Sequence, residues 1–252
     1  MPRLSVTVIT RNEAQKLEGA LESVAWADQI VVVDSESTDD TAAIARRFTT
    51  DVCVRPFQGY GEQKNYAAGL ARNDWILSLD ADERVTPALA SEIRELLAGE
   101  PPLRGYRIPR VTFHLGRWIR TTDWYPDYQL RLYDRRAARW SEPLVHESVR
   151  VEGQPGRLRG ELQHFPYRDT ADHLRTIDRY TSLAAEQMQR DGKRPGLVSV
   201  ITHPPLAFLR NYLLRRGILD GAAGLKISAL NSYYVYLKFA KARRLTKAAQ
   251  SA

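Results

Sequence analysis

Residues 75 to 83 read Trp75-Ile76-Leu77-Ser78-Leu79-Asp80-Ala81-Asp82-Glu83. The first five are almost all apolar, which is typical of a strand buried on both faces of a parallel sheet. Two aspartates, two positions apart, follow this strand at once. Carboxylates at such a turn can hold a hard divalent cation and leave coordination positions for phosphate oxygens. The stretch predicts a buried strand and a candidate cation site, although a solvated acidic loop is the commoner explanation of an isolated Asp-x-Asp.

Strand and helix patterns alternate through the first hundred residues. Runs of β-branched and apolar residues predict further strands at Leu4–Thr10, Gln29–Asp34 and Val52–Val54. Segments with apolar residues at helical spacing separate these runs. Strands that alternate with helices in this way predict βαβ units and a parallel sheet, so the predicted fold class is α/β.

Polar segments follow three of the predicted strands. They are Thr10-Arg11-Asn12-Glu13, Asp34-Ser35-Glu36-Ser37-Thr38-Asp39 and Asp80-Ala81-Asp82-Glu83. In open parallel sheets, ligands bind beyond the carboxyl ends of the strands, which would bring these segments together. Carboxylates gathered at one edge repel each other unless a cation lies between them. The sequence therefore predicts a cation-dependent ligand site at this edge.

Four segments in this region resemble, in order and spacing, the successive motifs of glycosyltransferase family 2. They are Ser5–Glu13, Val31–Asp34 with Ser37–Thr41, Gly61–Asn65, and Asp80–Glu83. The resemblance implies the GT-A fold, which is a Rossmann-like, mostly parallel sheet flanked by helices. It also implies an inverting glycosyl transfer from a nucleotide sugar with Mg²⁺ or Mn²⁺ as cofactor.

The same resemblance implies roles for individual residues. Asp34 would hold the uracil or ribose side of the donor, Asp80 would contact the nucleotide, and Asp82 would bind the metal. Asp80 is also a candidate second metal ligand. The remaining residues implied for the donor pocket are Thr10, Arg11, Glu13, Ser37, Lys64 and Ala81.

The middle of the chain narrows the resemblance to the bacterial lipopolysaccharide-core β-glucosyltransferase branch of this family. The matching segments are Tyr128–Tyr133, Trp140, Pro143–Glu147 and Leu213–Gly221. They imply that a hexose, glucose from UDP-glucose, passes to a hydroxyl of a membrane-linked glycan, the lipopolysaccharide inner core. Ser35-Glu36-Ser37 departs from this pattern, because many relatives carry a glycine-containing turn there.

A displacement at the anomeric carbon requires a general base for the acceptor hydroxyl. Glu147 is the predicted base. Asp127 is the alternative, because it ends an aromatic loop, Trp124-Tyr125-Pro126-Asp127, in which Trp124 and Tyr125 suit stacking on the acceptor sugar. Arg131 is predicted to contact donor phosphate through its planar fork of donors. His146 is a further candidate metal ligand, although a lone histidine is more often structural.

Positive charge is concentrated in the last third of the chain. Residues 1–167 hold 22 Lys and Arg against 24 Asp and Glu, whereas residues 168–252 hold 15 against 6. Apolar residues recur there at helical spacing among basic ones, at Ile227, Leu230, Tyr234 and Leu237. Basic amphipathic helices with aromatic residues tend to lie in a membrane surface. Residues 204–247 are therefore predicted to bind an anionic membrane, and a helix packed on the catalytic domain with a solvated basic face is the alternative.

These patterns divide the chain at about residue 165. Residues 1–165 are predicted to form the catalytic domain, with a nucleotide-sugar-binding half at 1–104 and an acceptor-binding half at 105–165. Residues 166–252 are predicted to be a helical, basic, membrane-associating extension. The N-terminus lacks a secretory signal pattern, and no window reaches the roughly 18 consecutive apolar residues of a membrane span. The predicted location is cytoplasmic, peripheral on the inner face of the bacterial inner membrane.

Three other functions compete with this prediction. A polyprenyl-phosphate glycosyltransferase would use the same donor site, but the lack of apolar spans argues against it. A phosphatase of the haloacid dehalogenase type also carries Asp-x-Asp after a strand, but its motif continues with Gly-Thr, where this chain has Glu83-Arg84. A nucleic-acid-binding protein could use the basic tail to stack on bases. Residues 1–167 lack excess positive charge, so no nucleic-acid partner is predicted.

Overall fold

The computed structural model describes residues 2–141 and 148–250, and side chains as far as residue 247. Contacts within the chain divide it into two compact units. Unit 1 consists of Met1–Val111 and Asp127–Phe165, and unit 2 of Thr112–Pro126 and Pro166–Ala252. The boundary between Phe165 and Pro166 lies close to the division at about residue 165 in the sequence, and the roles assigned to its two sides stay predictions. Thr112–Pro126, by contrast, groups with unit 2, whereas the sequence analysis assigned this segment to the catalytic part.

Most of the strands belong to unit 1. In chain order the strands are β1 (Leu4–Thr10), β2 (Gln29–Asp34), β3 (Val52–Val54), β4 (Trp75–Asp80), β5 (Glu83–Val85), β6 (Gly105–His114), β7 (Arg117–Ile119), β8 (Asp127–Asp134), β9 (Ala138–Trp140), β10 (Val149–Val151), β11 (Gly156–Arg157) and β12 (Leu162–His164). The main sheet has the order β3-β2-β1-β4-β8-β6-β12-β5, with β11 paired to β6. Strands β9 and β10 form a separate antiparallel pair.

The sheet has a parallel and an antiparallel part. β3, β2, β1 and β4 are parallel to one another, as their alternation with helices predicted. β8 then pairs antiparallel with β4 and β6, and β12 pairs antiparallel with β5. The predicted α/β class is confirmed, and the antiparallel strands extend the parallel part that the sequence pattern showed.

Four helices cover the sheet of unit 1 and supply part of its core. They are α1 (Ala14–Glu22), α2 (Thr41–Phe48), α3 (Tyr60–Leu70) and α4 (Pro87–Ala98). Leu17 and Leu21 of α1 are fully buried in one apolar cluster with Val6 of β1 and Leu77 of β4. Burial of each such side chain contributes about 1.5–3 kcal/mol. This packing fixes the sheet edge from which the polar segments extend.

Unit 2 is mainly helical. Its helices are α5 (Thr170–Arg190), α6 (Leu197–Leu209) and α7 (Gly221–Gln250), with short turns at Thr122–Trp124, Arg210–Leu214 and Gly217–Asp220. α7 packs against both α5 and α6. Lys241 Nζ of α7 donates to Asp178 Oδ1 of α5 at 2.6 Å, and Ser232 Oγ donates to the Pro204 carbonyl of α6 at 2.8 Å. Among the described residues, no helix combines the length and apolar character of a membrane span.

The apolar spacing predicted for the tail belongs to α7. Ile227 is completely buried in a cluster with Ile119 and Ala223, and Leu230, Tyr234 and Leu237 are half-buried. Packing inside unit 2 therefore explains this spacing. This face of α7 is occupied by packing within unit 2, and membrane binding by residues 204–247 stays a prediction.

Candidate active site

The ends of β1, β2 and β4 lie side by side at one edge of the sheet. Thr10 is paired with Asp34 in the register of β1 and β2, and Ile9 is paired with Asp80 in the register of β1 and β4. The polar segments that follow these strands therefore begin at neighbouring positions. This is the edge at which open α/β sheets bind ligands.

Hydrogen bonds tie the segment after β1 to the segment after β2. The Asn12 amide donates to Ser37 Oγ, and Asn12 Oδ1 accepts from the Thr38 amide, both at 2.8 Å. Asn12 has a φ of 55°, a left-handed conformation that asparagine tolerates better than most residues. The amide of Glu13 also donates to Thr41 Oγ1 at 2.8 Å. These bonds give this side of the site a fixed backbone shape.

Asp34 is part of this arrangement. Its side chain accepts from the Ser37 amide at 2.9 Å and from the Ser37 hydroxyl, and the residue is only 1% exposed. Asp34 thus holds the turn after β2, whereas Arg11 is exposed. Contacts of Arg11, Asp34 and Ser37 with a donor stay predictions.

Side chains of alternating charge form a network that links α3, the turn after β4, β8 and β6. Lys64 Nζ lies 2.9 Å from Asp80 Oδ1, and Arg131 donates to the other oxygen of Asp80. The same Arg131 nitrogen lies 2.8 Å from Glu83 Oε1, which also accepts from Arg110 Nη1 at 2.9 Å. Arg110 lies on β6 and Arg131 on β8, so the antiparallel strands bring cations to the acidic turn after β4.

These contacts fix the charges of the network. Burial alone would raise the pKa of Asp80, but Arg131 and Lys64 lower it well below its ordinary value. Burial alone would lower the pKa of Arg131, but Asp80 and Glu83 raise it well above its ordinary value. Glu83 is completely buried and forms ion pairs with Arg131 and Arg110. Asp80 is consequently held as a carboxylate between two cations.

The indole ring of Trp140 packs against the cations Lys64 and Arg131. Its ring centroid lies 4.3 Å from Lys64 Nζ and 5.9 Å from Arg131 Cζ, distances at which a cation is attracted to an indole face. Asn65 holds the Trp140 backbone through two hydrogen bonds of 3.0 Å, and Trp140 Nε1 donates to the Tyr133 hydroxyl at 3.1 Å. The orientation of Lys64 and Arg131 is therefore fixed by packing as well as by charge.

Asp82 has a histidine neighbour. His164 Nε2 lies 3.4 Å from Asp82 Oδ2, and the amide of Phe165 donates to the Asp82 carbonyl at 2.8 Å. His164 is the last residue of β12, which pairs antiparallel with β5 and places His164 opposite Glu83. Burial alone would raise the pKa of Asp82, but the hydrogen bond and charge of His164 lower it. The sequence analysis assigned no role to His164, because its approach to Asp82 depends on strand pairing.

Glu13 contributes a further acidic group. Burial raises its pKa, the charges of Asp82 and Asp39 raise it further, and Lys16 lowers it. Glu13 therefore lies near enough to Asp82 for the two carboxylates to repel each other.

The described residues allow a test of the predicted cation site. They contain no cluster of three or more acidic, histidine or cysteine side chains arranged as a metal site. Both oxygens of Asp80 are engaged by cations, and its role as a second ligand stays a prediction. The carboxylate of Asp82 and the imidazole of His164 do fit as a pair of ligands. Metals bound by few protein groups generally complete their coordination with substrate phosphates and water.

Three buried polar atoms of unit 1 find no hydrogen-bond partner among the described residues. They are Thr10 Oγ1, Gln63 Oε1 and Arg131 Nε. Buried polar groups are normally paired, so unpaired ones mark places where a ligand or water can bind. Thr10 ends β1, Gln63 Nε2 donates to Ser35 Oγ after β2, and Arg131 contacts Asp80 after β4. The unpaired atoms thus belong to residues that lie at, or contact, the segments after β1, β2 and β4. Ala81, another predicted donor contact, is buried in the core.

The predicted general bases are differently placed. Asp127 accepts from Arg110 Nε at 2.9 Å and Nη2 at 2.6 Å through one oxygen, and from Gln129 Nε2 at 2.6 Å through the other. Both oxygens of Asp127 are therefore already used. Glu147 and His146 lie outside the described residues.

The predicted acceptor residues belong to unit 2. Trp124 is half-buried and packs with His114, Tyr167 and His173, at ring-centroid distances of 5.6 to 6.1 Å. The ring of Tyr125 lies 5.4 Å from the guanidinium carbon of Arg120. Trp124 is thus engaged within unit 2, and a contact of Trp124 or Tyr125 with an acceptor stays a prediction.

The sequence model of glycosyl transferase family 2 matches residues 5–150 of the chain. The chain belongs to this family. This glycosyltransferase is 32% identical over 246 residues to the lipopolysaccharide core biosynthesis glycosyltransferase LpsC of Rhizobium meliloti (strain 1021), with 94% of the chain and 91% of LpsC covered. It is 30% identical over 257 residues to an uncharacterized glycosyltransferase of Rickettsia bellii (strain RML369-C), with 97% and 87% covered.

Among solved structures, the glycosyltransferase is similar to glucosyl-3-phosphoglycerate synthase from Mycobacterium tuberculosis in complex with Mg²⁺ and UDP. The TM-score is 0.37 at 24% identity, covering 46% of this chain and 44% of the synthase. The mixed sheet with its flanking helices is that of the GT-A fold, so the fold and family implied by the sequence motifs are confirmed. Because the chain belongs to this family, the alternative of a haloacid dehalogenase-type phosphatase does not apply.

Proposed function

We propose that this glycosyltransferase transfers glucose from UDP-glucose, with inversion, to a hydroxyl of the lipopolysaccharide inner core. The observation that carries the proposal is the meeting of Asp82 and His164 with the charge network of Lys64, Asp80 and Arg131 at the ligand-binding edge of the sheet. Similarity to LpsC over nearly the whole of both chains supports the acceptor class.

The charge network suits a nucleoside diphosphate sugar. Lys64 and Arg131 are buried cations that contact different oxygens of Asp80, and Arg131 Nε finds no acceptor among the described residues. A diphosphate oxygen would provide that acceptor, and charge-assisted hydrogen bonds of this kind are strong. Asp34 and Ser37, joined to Asn12 and Thr38, would shape the pocket for the nucleoside. Thr10, Arg11, Glu13 and the Ala81 backbone would complete the donor pocket.

Asp82 and His164 would hold the Mg²⁺ or Mn²⁺ ion, which offsets the negative charge that develops on the leaving diphosphate. Glu13 would contribute negative charge near this pair without direct ligation. Asp80 would orient Lys64 and Arg131, because its two oxygens are engaged by them. This assignment differs from the sequence-based expectation that Asp80 is a candidate second ligand, and the sequence-based candidate His146 keeps its place as a proposed further ligand.

We favour Glu147 as the base that removes the proton from the acceptor hydroxyl. The competing carboxylate, Asp127, would first have to give up its hydrogen bonds with Arg110 and Gln129. A base must have an oxygen within hydrogen-bond reach of the acceptor hydroxyl. Trp124 and Tyr125 are the proposed stacking surface for the acceptor sugar.

A lipid-linked acceptor places the reaction at a membrane. We propose that the protein works on the cytoplasmic, inner face of the bacterial inner membrane as a peripheral protein that binds anionic lipid through residues within 204–247. Transfer to polyprenyl phosphate is the alternative reaction with the same donor site.

The deciding experiment supplies radiolabelled UDP-glucose and Mn²⁺ with either purified lipopolysaccharide inner core or polyprenyl phosphate. We expect label in the lipopolysaccharide only. Label in polyprenyl phosphate would establish the alternative acceptor, and transfer from a different nucleotide sugar but not from UDP-glucose would refute the donor assignment. Asp82→Asn is the matched inactive control, because it removes a metal-binding charge without changing the size of the side chain.

A further inference from the structure

Helix α6 of unit 2 buries none of its thirteen residues. A surface helix of a globular protein normally buries one apolar face against a core. The apolar residues of α6 and of the turn after it are instead exposed. Val198 is 71% exposed, Ile201 61%, Leu206 62% and Leu214 79%, and Leu209 and Leu213 are each about half exposed. We call these six residues the α6 surface.

Part of the α6 surface lies along one side of the helix. The exposed residues Val198, Ile201, Pro205 and Leu209 follow one another at spacings of three or four residues. Residues at these spacings lie on the same side of a helix. Large apolar side chains exposed in this number on one short helix and the turn after it are unusual on a monomeric soluble protein and mark an interaction site.

The charged residues around the α6 surface indicate the chemistry of its partner. No acidic residue occurs between Asp191 and Asp220, although this stretch contains five basic ones. They lie at the two ends of α6 and are Lys193, Arg194, Arg210, Arg215 and Arg216. α6 itself contains no Lys, Arg, Asp or Glu. An apolar surface with basic residues at both ends is the pattern of a helix that lies in an anionic lipid interface.

The length of α6 favours a helix that lies in the bilayer interface over one that crosses the bilayer. Thirteen residues make a helix of about 20 Å, which is shorter than the roughly 30 Å hydrocarbon core of a bilayer.

α7 supports α6 from within unit 2. Ser232 Oγ donates to the Pro204 carbonyl at 2.8 Å, and the rings of His203 and Phe239 lie 4.7 Å apart. α6 is therefore held in place while its apolar surface stays uncovered by other described residues. A second copy of the chain is a poorer occupant, because an α6 pair would bring basic ends together in either orientation.

We propose that the α6 surface inserts into the interface of an anionic lipid bilayer and anchors the enzyme as a monotopic protein. This deepens the membrane association within the proposed function, on which it rests for its purpose. It places the inserted residues at 198–214, which begins before the segment that the sequence analysis had assigned to the membrane. Arg194 and Arg216 would then contact lipid headgroups, whereas Lys193 is paired with Asp191, and Arg210 and Arg215 are paired with Asp123.

Vesicle flotation of the full chain tests the proposal. The wild type should float with vesicles of phosphatidylethanolamine and phosphatidylglycerol, and less with vesicles of phosphatidylcholine alone. The double variant Val198→Glu/Ile201→Glu should lose at least about tenfold in vesicle affinity, because two inserted side chains become charged. The matched control is Leu174→Glu/Leu183→Glu, which changes two exposed leucines of α5. Circular dichroism checks that both variants are folded.

Wild-type vesicle affinity in Val198→Glu/Ile201→Glu, or an equal loss in the α5 control, would refute the proposal. A change from dimer to monomer in analytical ultracentrifugation, with vesicle binding unchanged, would show that a second copy covers the surface. Stabilisation by UDP and Mn²⁺ is measured on the same variants. It should be unchanged, so a failure of donor binding in the wild type would count against the proposed function and leave the lipid result intact.

Discussion

His164 Nε2 lies 3.4 Å from Oδ2 of Asp82, and the two residues come from distant parts of the chain. The pairing of β12 with β5 creates this contact, since it places His164 opposite Glu83, the residue after Asp82. An acidic turn that would be unremarkable by itself thereby gains a neighbouring imidazole nitrogen. The cation-dependent chemistry proposed for this enzyme rests on that pair.

Replacement of His164 by Ala should weaken Mn²⁺-dependent binding of UDP. Loss of a metal ligand or of a group that orients one typically costs 10–100-fold in metal affinity, so we expect an effect of at least about tenfold. The measurement is the shift in melting temperature on addition of UDP with Mn²⁺, because a ligand that binds only the native state stabilises it. His203→Ala, which changes an exposed histidine of α6, is the control. An undiminished shift in His164→Ala would remove His164 from the site.

Replacement of Arg131 by Met should destabilise the protein. The change leaves Asp80 and the fully buried Glu83 with less positive charge around them, and breaking such a pair costs about 3 kcal/mol. The measurement is the free energy of unfolding in urea. Arg107→Met is the control, because Arg107 is an exposed arginine of β6. Equal free energies of unfolding for Arg131→Met and Arg107→Met would show that the network does not stabilise the fold.

Glu147→Gln should lower kcat by about 10²–10⁴-fold with little change in the KM for UDP-glucose, as expected for loss of a general base. Asp127→Asn should act mainly on stability, because it weakens the pairing with Arg110. Steady-state kinetics of both variants with the lipopolysaccharide acceptor separates the two. The reverse result, with kcat lost only in Asp127→Asn, would assign the base to Asp127.

Unit 2 should lose stability in mild acid through a pair of buried histidines. His173 Nδ1 lies 3.1 Å from His114 Nε2. Burial, with a smaller effect of the His114 charge, lowers the pKa of His173 to about 4, and burial also lowers that of His114, while Asp172 opposes the shift at His173. Because these folded-state pKa values lie below the unfolded value near 6.5, the stabilisation is complete above pH 6.5 and is lost as the pH falls toward 4.

The expected loss from His173 over this range is about 3 kcal/mol. Urea unfolding followed between pH 7 and pH 4, in about one-unit steps, measures it. His173→Phe, which keeps a ring against Tyr167, should flatten the pH dependence, whereas His203→Phe should not. A wild type whose stability is constant over this range would contradict the prediction.

The parallel half of the fold could be read from the sequence. β1, β2 and β4 have the bounds that their apolar runs predicted, because strands buried on both faces carry a strong and local signal. The meeting of Thr10, Asp34 and Asp80 followed from topology, since parallel neighbours end at one edge. Family membership was visible in the same segments.

The partners of these residues could not be predicted in the same way. Arg110 and Arg131 reach Glu83 only through antiparallel pairing, and no local pattern links His164 to Asp82. The apolar spacing of α7 was visible, but spacing alone does not distinguish packing against helices from contact with lipid. The burial of Ile227 and the exposure of Ile201 depend on tertiary contacts.

Titration calorimetry of UDP into the wild-type enzyme tests the central claim, that Asp82 and His164 hold a cation that binds the donor diphosphate. In Mn²⁺ we predict saturable binding with one site per chain, and after chelation with EDTA we predict its loss, with recovery when Mn²⁺ is restored. Binding of equal affinity in Mn²⁺ and in EDTA would contradict the account.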